Sequence, residues 1–159
     1  MPLSPSAQRV QDYLKNHGYA HTVVEHEQST RSSAEAAAAI GCTVAQIAKS
    51  LVFCTRQSKK PVMVIASGVN RVNTRSIAEK LGEPVDRADP DFVHTVTGYA
   101  IGGVPPVGHS QPVTIFIDED LIQYSAIWAA AGAPTAVFAL TPTELIAMTG
   151  GTVMKTKEE

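Results

Sequence analysis

Lys49-Ser50-Leu51-Val52-Phe53-Cys54-Thr55-Arg56-Gln57-Ser58-Lys59-Lys60-Pro61-Val62-Met63-Val64-Ile65-Ala66 is the stretch on which the fold turns. Two apolar runs, Ser50 to Cys54 and Pro61 to Ala66, flank a polar turn from Arg56 to Lys60. Short apolar runs around a polar connection predict a β-hairpin. Further strands are expected at Tyr19 to Val24, Val113 to Ile117, Ala126 to Trp128 and Ala136 to Leu140. The pattern is not a strict strand–helix alternation. It predicts an α+β (mixed α/β) fold, a mainly antiparallel sheet or partial barrel with surrounding helices.

The helices announce themselves by their caps. Ser4-Pro5 is an N-cap followed by a proline at the first helical position, Val10, Tyr13, Leu14 and His17 recur at helical spacing, and Gly18 stops the run. Ser32 with Glu35 has capping-box spacing, closed by Gly41, and Thr43 with Gln46 opens one short turn. Asn73 caps a helix through Leu81 that Gly82 ends, and Asp89-Pro90 begins another. Thr141-Pro142-Thr143-Glu144 starts the last, which Gly150-Gly151 closes. No repeat or linker interrupts the series, so residues 1–159 are expected to form one domain.

The chain has 159 residues, 44% apolar and 18% charged, enough for a core and an ordinary globular balance. The end Lys155-Thr156-Lys157-Glu158-Glu159 reads as frayed. The first twenty residues carry Arg9, Asp12 and Lys15 with no apolar block, which is not a secretory leader. Ser125 to Leu140, the longest apolar stretch, is broken by Gly132, Pro134 and Thr135 and is too short to span a bilayer. A cytosolic (cytoplasmic) location is expected. Cys42 and Cys54 are too few for a disulfide framework and read as small buried apolar residues. The net charge of −2 hides an asymmetry: Arg31 to Arg87 holds nine Lys or Arg against Glu35, Glu79, Glu83 and Asp86, whereas Ala88 to Met154 holds acids and no Lys or Arg. If a polyanion binds, the first segment contacts it.

Three segments can carry chemistry. Thr97-Gly98-Tyr99-Ala100-Ile101-Gly102-Gly103-Val104-Pro105-Pro106-Val107-Gly108-His109 packs four glycines and two prolines into thirteen residues. Prolines donate no N–H, so the donors in mid-loop are the amides of Gly102, Gly103 and Val104. Such a run either forms a tight structural turn or holds an oxyanion. Lys49 falls where a short helix ends and a buried strand begins. It either complements the helix end or is positioned to bind a phosphate or polarise a carbonyl. Ala66-Ser67-Gly68-Val69-Asn70-Arg71-Val72-Asn73 connects strand to helix, and Asn70 and Arg71 could contact a ligand at the sheet edge. His109, beside the loop, is a candidate contact, and Ser50, Ser67, Gly68 and Trp128 are candidates for a pocket. No local Ser-His-Asp, Cys-His or zincin spacing is visible.

The segments KSLVF at 49–53, SGVNRV at 67–72 and TGYAIGGVPPVGH at 97–109 occur in order, and together they resemble the YbaK/ProX family of aminoacyl-tRNA deacylases, related to the editing domain of bacterial prolyl-tRNA synthetases. The likeness runs from Ser29 to Leu140. The family's Gly-x-x-x-Pro motif maps onto Gly102 to Pro106 and its lysine onto Lys49. The resemblance implies a YbaK-like fold and hydrolysis, in trans, of the ester joining a wrong amino acid to the terminal adenosine of tRNA. It also implies no metal or other cofactor, the aminoacyl-tRNA acceptor end as partner with an aminoacyl-tRNA synthetase as a further one, and neither membrane nor DNA. Lys49 would orient the substrate, and the glycine loop would hold the carbonyl oxygen. The tRNA for proline, carrying Ala, Ser, Thr, Cys or 2-aminobutyrate, is the expected substrate. The rival reading is a non-catalytic module for the acceptor end or a nucleotide. Two departures bear on amino-acid specificity: Ala131-Gly132-Ala133-Pro134-Thr135 stands where some members have Gly-Lys-Arg-Gly, and Asn73 ends a segment that in several relatives reads Asn-Arg-Val-Asp.

Overall fold

The computed structural model describes residues 2–26 and 32–158. Ser29, Arg31 and Glu159, which begin or end stretches named above, lie outside the described residues. The elements are α1 (Pro5–Asn16), β1 (Val23–Glu25), α2 (Ser33–Ile40), β2 (Ile47–Thr55), β3 (Pro61–Ser67), α3 (Thr74–Leu81), β4 (Val85–Arg87), α4 (Pro90–Thr97), β5 (Thr114–Asp118), β6 (Ile127–Ala130), β7 (Ala136–Leu140), α5 (Pro142–Thr149) and β8 (Thr152–Met154), with short 3-10 turns at Val44–Gln46 and Glu119–Gln123.

The hairpin at the heart of the sequence is the centre of the sheet. β2 and β3 pair antiparallel from Ala48↔Ser67 to Cys54↔Pro61. Their turn is held by Glu83, whose Oε1 accepts from the Gln57 and Ser58 amides, both at 3.0 Å. The strands run in the order β1-β7-β6-β2-β3-β5-β8, with β4 also on β2. Among the described residues, four of the seven pairings are antiparallel and three parallel, so the sheet is mixed and mostly antiparallel, as expected.

Side chains alternate across a strand, and the two faces of the hairpin meet different helices. Ala48, Val52, Met63 and Ile65 pack with Ala7, Val10 and Leu14 of α1, Val93 and Val96 of α4, and Leu145 of α5. Phe53, Val62, Val64 and Ala66 pack instead with Ile77 of α3, and Ile47 with Ala36 and Ala37 of α2. Helices therefore cover both faces. Ser125 to Leu140 becomes the β6–β7 hairpin, and no helix of the described residues is long and apolar enough to cross a membrane.

The caps form as read. Ser32 Oγ accepts from Glu35 N–H at 3.0 Å, Asn73 Oδ1 from Arg75 and Ser76, Asp89 Oδ1 from Phe92 at 2.8 Å, and Thr141 and Glu144 cap each other. Ser4 differs. Its side chain makes no cap bond, and its amide donates to Glu25 Oε1 at 2.7 Å, so α1 is tied to β1 instead. The first strand is shorter than expected because the Gln11 side chain takes its leading backbone groups, donating to His21 O and accepting from Val23 N–H. Two three-residue strands, β4 and β8, were not foreseen.

The frayed C-terminus is overturned. Thr156 is fully buried, Asn73 N–H donates to Thr156 O at 2.7 Å and Glu158 N–H to Arg71 O at 2.8 Å, and Lys157 Nζ lies 3.0 Å from Asp120 Oδ2. Polar composition hid a segment that docks through its backbone. Deleting residues 155–159 is expected to cost about 2 kcal/mol, at about 1 kcal/mol for each of the two backbone bonds, and to lower Tm by roughly 4–8 °C. A thermal melt unchanged within 1 °C, on the order of instrument error, would show that the docking contributes nothing.

Candidate active site

β2 is flanked on one edge by β3 along nearly its whole length. On the other edge it meets β6 only at Ile47 and Ala48 and β4 only at Phe53 to Thr55. Between these two short ladders lies a cleft of about 240 Å³ lined by Lys49, Ser50, Arg87, Ile101, Gly102, Val104 and Trp128, with α2 contributing Ser33 and Ala36. Two of the three segments singled out in the sequence, the lysine strand and the glycine loop, thus meet across about fifty residues of chain.

The loop is fastened at every side except the one facing the cleft. Its ends are closed by Ser110 N–H on Thr97 O and Gln111 N–H on Val96 O. Thr97 Oγ1 donates to Val93 O at 2.7 Å and accepts from Tyr99 N–H. Arg9 of α1 donates to Gly98 O at 3.1 Å and lies 4.5 Å over the Tyr99 ring. His109 Nε2 sits 2.7 Å from Pro105 O. Gly103 O accepts from Gly132 N–H at 2.8 Å, and a Cβ on Gly103 would come within 2.8 Å of the Ala133 backbone.

The three amides expected as donors have different fates. Gly103 N–H bonds to Ala100 O at 3.1 Å, closing a turn. Among the described residues, no acceptor engages the amides of Gly102, held at φ 94°, or of Val104. Both of these residues line the cleft. The loop is therefore a structural turn at Gly103 and an open pair of donors on either side of it.

The Lys49 side chain is half-buried and makes no ion pair or hydrogen bond among the described residues. Burial pushes its ammonium below the usual lysine range, Arg87 pushes the same way, Asp118 opposes, and Arg71 adds to the lowering. Ser50 Oγ is buried with no partner among the described residues. A cation and a hydroxyl without partners on adjacent residues of one strand cost stability, and the cation, which lines the cleft, is a group that a ligand could satisfy.

The third segment is a support beneath the cleft. Ser67 N–H donates to Asp118 Oδ2 at 3.0 Å and Ser67 Oγ to Ala45 O at 2.7 Å. Gly68 allows close approach, since a Cβ there would run into the Val44 carbonyl oxygen. Asn70 Nδ2 spans Asp118 and Asp120, both at 2.8 Å. Asp118 is fully buried. Arg71 is exposed, and its carbonyl holds the C-terminal tail. Pro106 and His109 line a separate hollow with Tyr13 and Met148, and burial holds the His109 imidazole below the usual histidine pKa, against the Pro105 carbonyl that raises it. Arg87 was not singled out in the sequence. Its signal was its place at the end of the basic segment. Arg56 of the same segment pairs with Asp86, whereas Arg87 has no acidic partner among the described residues and faces the cleft. Cys42 and Cys54 are free and partly buried, and burial raises the Cys42 thiol pKa.

Comparison with known proteins places this geometry. Across 99% of this chain and 100% of the other, the fold superposes with TM-score 0.94 and 46% identity on a crystal structure described as a candidate trans-editing enzyme for prolyl tRNA synthetase. A 91-residue stretch, 55% of this chain and 16% of the other, is 35% identical to the proline–tRNA ligase of Limosilactobacillus fermentum. A candidate Cys-tRNA(Pro)/Cys-tRNA(Cys) deacylase, EbsC of Enterococcus faecalis, is 26% identical over 121 residues, 76% of this chain and 73% of that protein. The model of the aminoacyl-tRNA editing domain matches residues 27–148, a span holding both the lysine strand and the glycine loop, and the chain therefore belongs to the aminoacyl-tRNA editing domain family.

Proposed function

We propose that this chain is a cytoplasmic trans-editing deacylase that hydrolyses the ester of a small wrong amino acid (Ala, Ser, Thr, Cys or 2-aminobutyrate) on the tRNA for proline, with Lys49 and the amides of Gly102 and Val104 as its working groups. One observation carries the reading: one cleft is lined by a half-buried lysine whose side chain, and by two loop residues whose amides, have no partner among the described residues. The kinship with a candidate trans-editing enzyme for prolyl tRNA synthetase supports the choice of tRNA.

The oxygen of water attacks the ester carbonyl carbon; attack by the neighbouring ribose hydroxyl would move the acyl group to that oxygen, and a water would still have to release it. Negative charge gathers on the carbonyl oxygen, where Gly102 N–H and Val104 N–H donate to it. Lys49 adds a fixed positive charge and Arg87 faces the backbone phosphate. The bond to the ribose oxygen then breaks, that oxygen takes up a proton, and the amino acid is released. Among the described residues, Lys49 and Arg87 are the only strongly basic or acidic side chains lining the cleft, so the reading relies on positioning and charge stabilisation, each worth several kcal/mol. About 240 Å³ is roughly eight water volumes at about 30 Å³ each. That suits a small acyl group with its ester and leaves the nucleotide outside. A difference of one methylene separates substrates only about 10- to 200-fold, so adjacent small acyl groups should compete.

The test is hydrolysis of proline tRNA charged with Ala, Ser, Thr, Cys, 2-aminobutyrate or Pro. Selective loss of one or two wrong esters, with Pro-tRNA spared, is expected. Spontaneous rates for the whole panel would favour the rival reading, a module that binds the acceptor end without turnover.

A further inference from the structure

Lys49 has an acid in its own row of the sheet. β2 pairs Lys49 with Ala66 of β3, and β3 runs parallel to β5 with Ile65 beside Ile117. Carrying that register on by one residue sets Ala66 beside Asp118. Side chains alternate across a strand, and Phe53, Val64, Ala66 and Phe116 share one face of the three strands. By the same alternation Lys49 and Asp118 stand on that face, one strand to either side of Ala66. Neighbouring strands lie about 4.8 Å apart, so the two backbones are about 10 Å apart. Only the small, fully buried Ala66 stands between them in the row. Asp118 is itself fully buried, and it accepts three hydrogen bonds: from Ser67 N–H at 3.0 Å, Asn70 Nδ2 at 2.8 Å and Asp120 N–H at 2.9 Å. Accepting from all three and donating to none is the behaviour of an ionised carboxylate. Asp120, at the other end of the Asn70 bridge, has a cation in Lys157. Asp118 forms no ion pair among the described residues, and a buried charge is seldom kept without a compensating one.

We infer that Asp118 is a positioning residue of the deacylation: from one strand beyond Ala66, its carboxylate is the counter-charge that holds Lys49 as a cation in a cleft whose other charged side chain, Arg87, is also positive. The inference rests on the reading of Lys49 as a working group. Among the described residues, the charges around Lys49 come from three places. Arg87 of β4 and Arg71, after β3, both disfavour its ammonium, as burial does, and Asp118 of β5 alone opposes them. The other elements at the cleft bring in Ser33, Ala36, Gly102, Val104 and Trp128, none of them charged. Asp118 needs no contact with the substrate, because attraction through a buried interior is screened far less than attraction across water. Its distance is also useful. A carboxylate in ion-pair contact with Lys49 would compete with the substrate for the ammonium. Set one strand further off, it favours the charge and leaves all three ammonium hydrogens for the substrate.

Asp118→Asn removes the charge and keeps the shape. The test follows kcat/KM for deacylation of alanyl-tRNA for proline across neutral and alkaline pH, with the spontaneous rate subtracted at each pH. The parent profile should fall on the alkaline side as Lys49 loses its proton. In the variant the fall should come at lower pH, since loss of an opposite charge favours the neutral amine. The amine of the ester titrates alike in both, so the difference belongs to the enzyme. A loss of equal size at every pH, with the fall unmoved, would make Asp118 a structural acceptor and overturn the inference. Parent turnover with no alkaline fall, or no parent turnover at all, would instead sink the reading of Lys49 or of the enzyme. Asparagine has one acceptor oxygen where three N–H groups converge, so the variant also gives up stability, and a second measurement avoids it. In parent protein with 13C-labelled aspartate, the Asp118 carboxyl resonance should shift as Lys49 titrates. In Lys49→Met that step should vanish, leaving the later one of Lys157, whose pKa its bond to Asp120 raises. Identical Asp118 titration curves in the two proteins would overturn the proposal.

Discussion

Replacing Lys49 by methionine is expected to lower deacylation about 10²- to 10³-fold, the scale of losing one charge-stabilising group, and to leave the protein as stable as before or more so. Methionine keeps the length and apolar packing of the lysine stem and removes the charge. The ammonium is half-buried, repelled by Arg87, and has no hydrogen-bond or ion-pair partner among the described residues. A charge held in that way lowers stability, and active sites commonly carry such a cost. The pH dependence gives the check. In the folded chain the Lys49 pKa lies below the usual lysine value of 10.5. Between those two values the unfolded chain holds the extra proton, so parent stability rises with pH across that window. The Lys49→Met variant should lack that rise. Denaturant melts from neutral pH to above 10.5 would show the two curves converging. A variant that loses activity by melting instead would mean that Lys49 is a structural residue.

The legible and the illegible parts of this molecule differ in range along the chain. Caps such as Asp89-Pro90 and the Thr141–Glu144 box were readable because every partner lies within four residues. The β2–β3 hairpin was readable because one short turn joins it. The tail was not, because Thr156 is buried by contacts made more than eighty residues upstream. Asn70 looked free to meet a ligand, but its amide is spent on Asp118 and Asp120, forty-eight and fifty residues away. The opening beside Ser50 depends on where β6 and β4 stop pairing, a property of three strands at once that no local pattern carries. The glycine loop was readable as a run of donors. Which of them remains open was not, since Gly103 N–H is taken by Ala100 O in a turn that composition does not specify.

Gly103→Ala is expected to abolish activity to a similar degree and to move stability the opposite way. Its Cβ would meet the Ala133 Cα and N at 2.8 Å and the Ala133 carbonyl carbon at 3.0 Å. All three are backbone atoms, so no side chain can swing aside. Ala133 itself cannot retreat freely. The neighbouring Gly132 is pressed against the Ser6 carbonyl, and α1 is anchored at Ser4 to Glu25, which Thr135 also grips at 2.8 Å. The loop must yield instead, and its Gly132 N–H to Gly103 O bond goes with it. Overpacking of this kind costs about 1–3 kcal/mol, and a displacement of about 1 Å at donors such as Gly102 and Val104 can cost on the order of 10²-fold in rate. Two variants of equal inactivity would then be separated by their melts: Lys49→Met at or above the parent Tm, Gly103→Ala well below it. Full activity in Gly103→Ala would mean that the loop amides do not need their observed positions, and the assignment of Gly102 and Val104 as donors would fall with it.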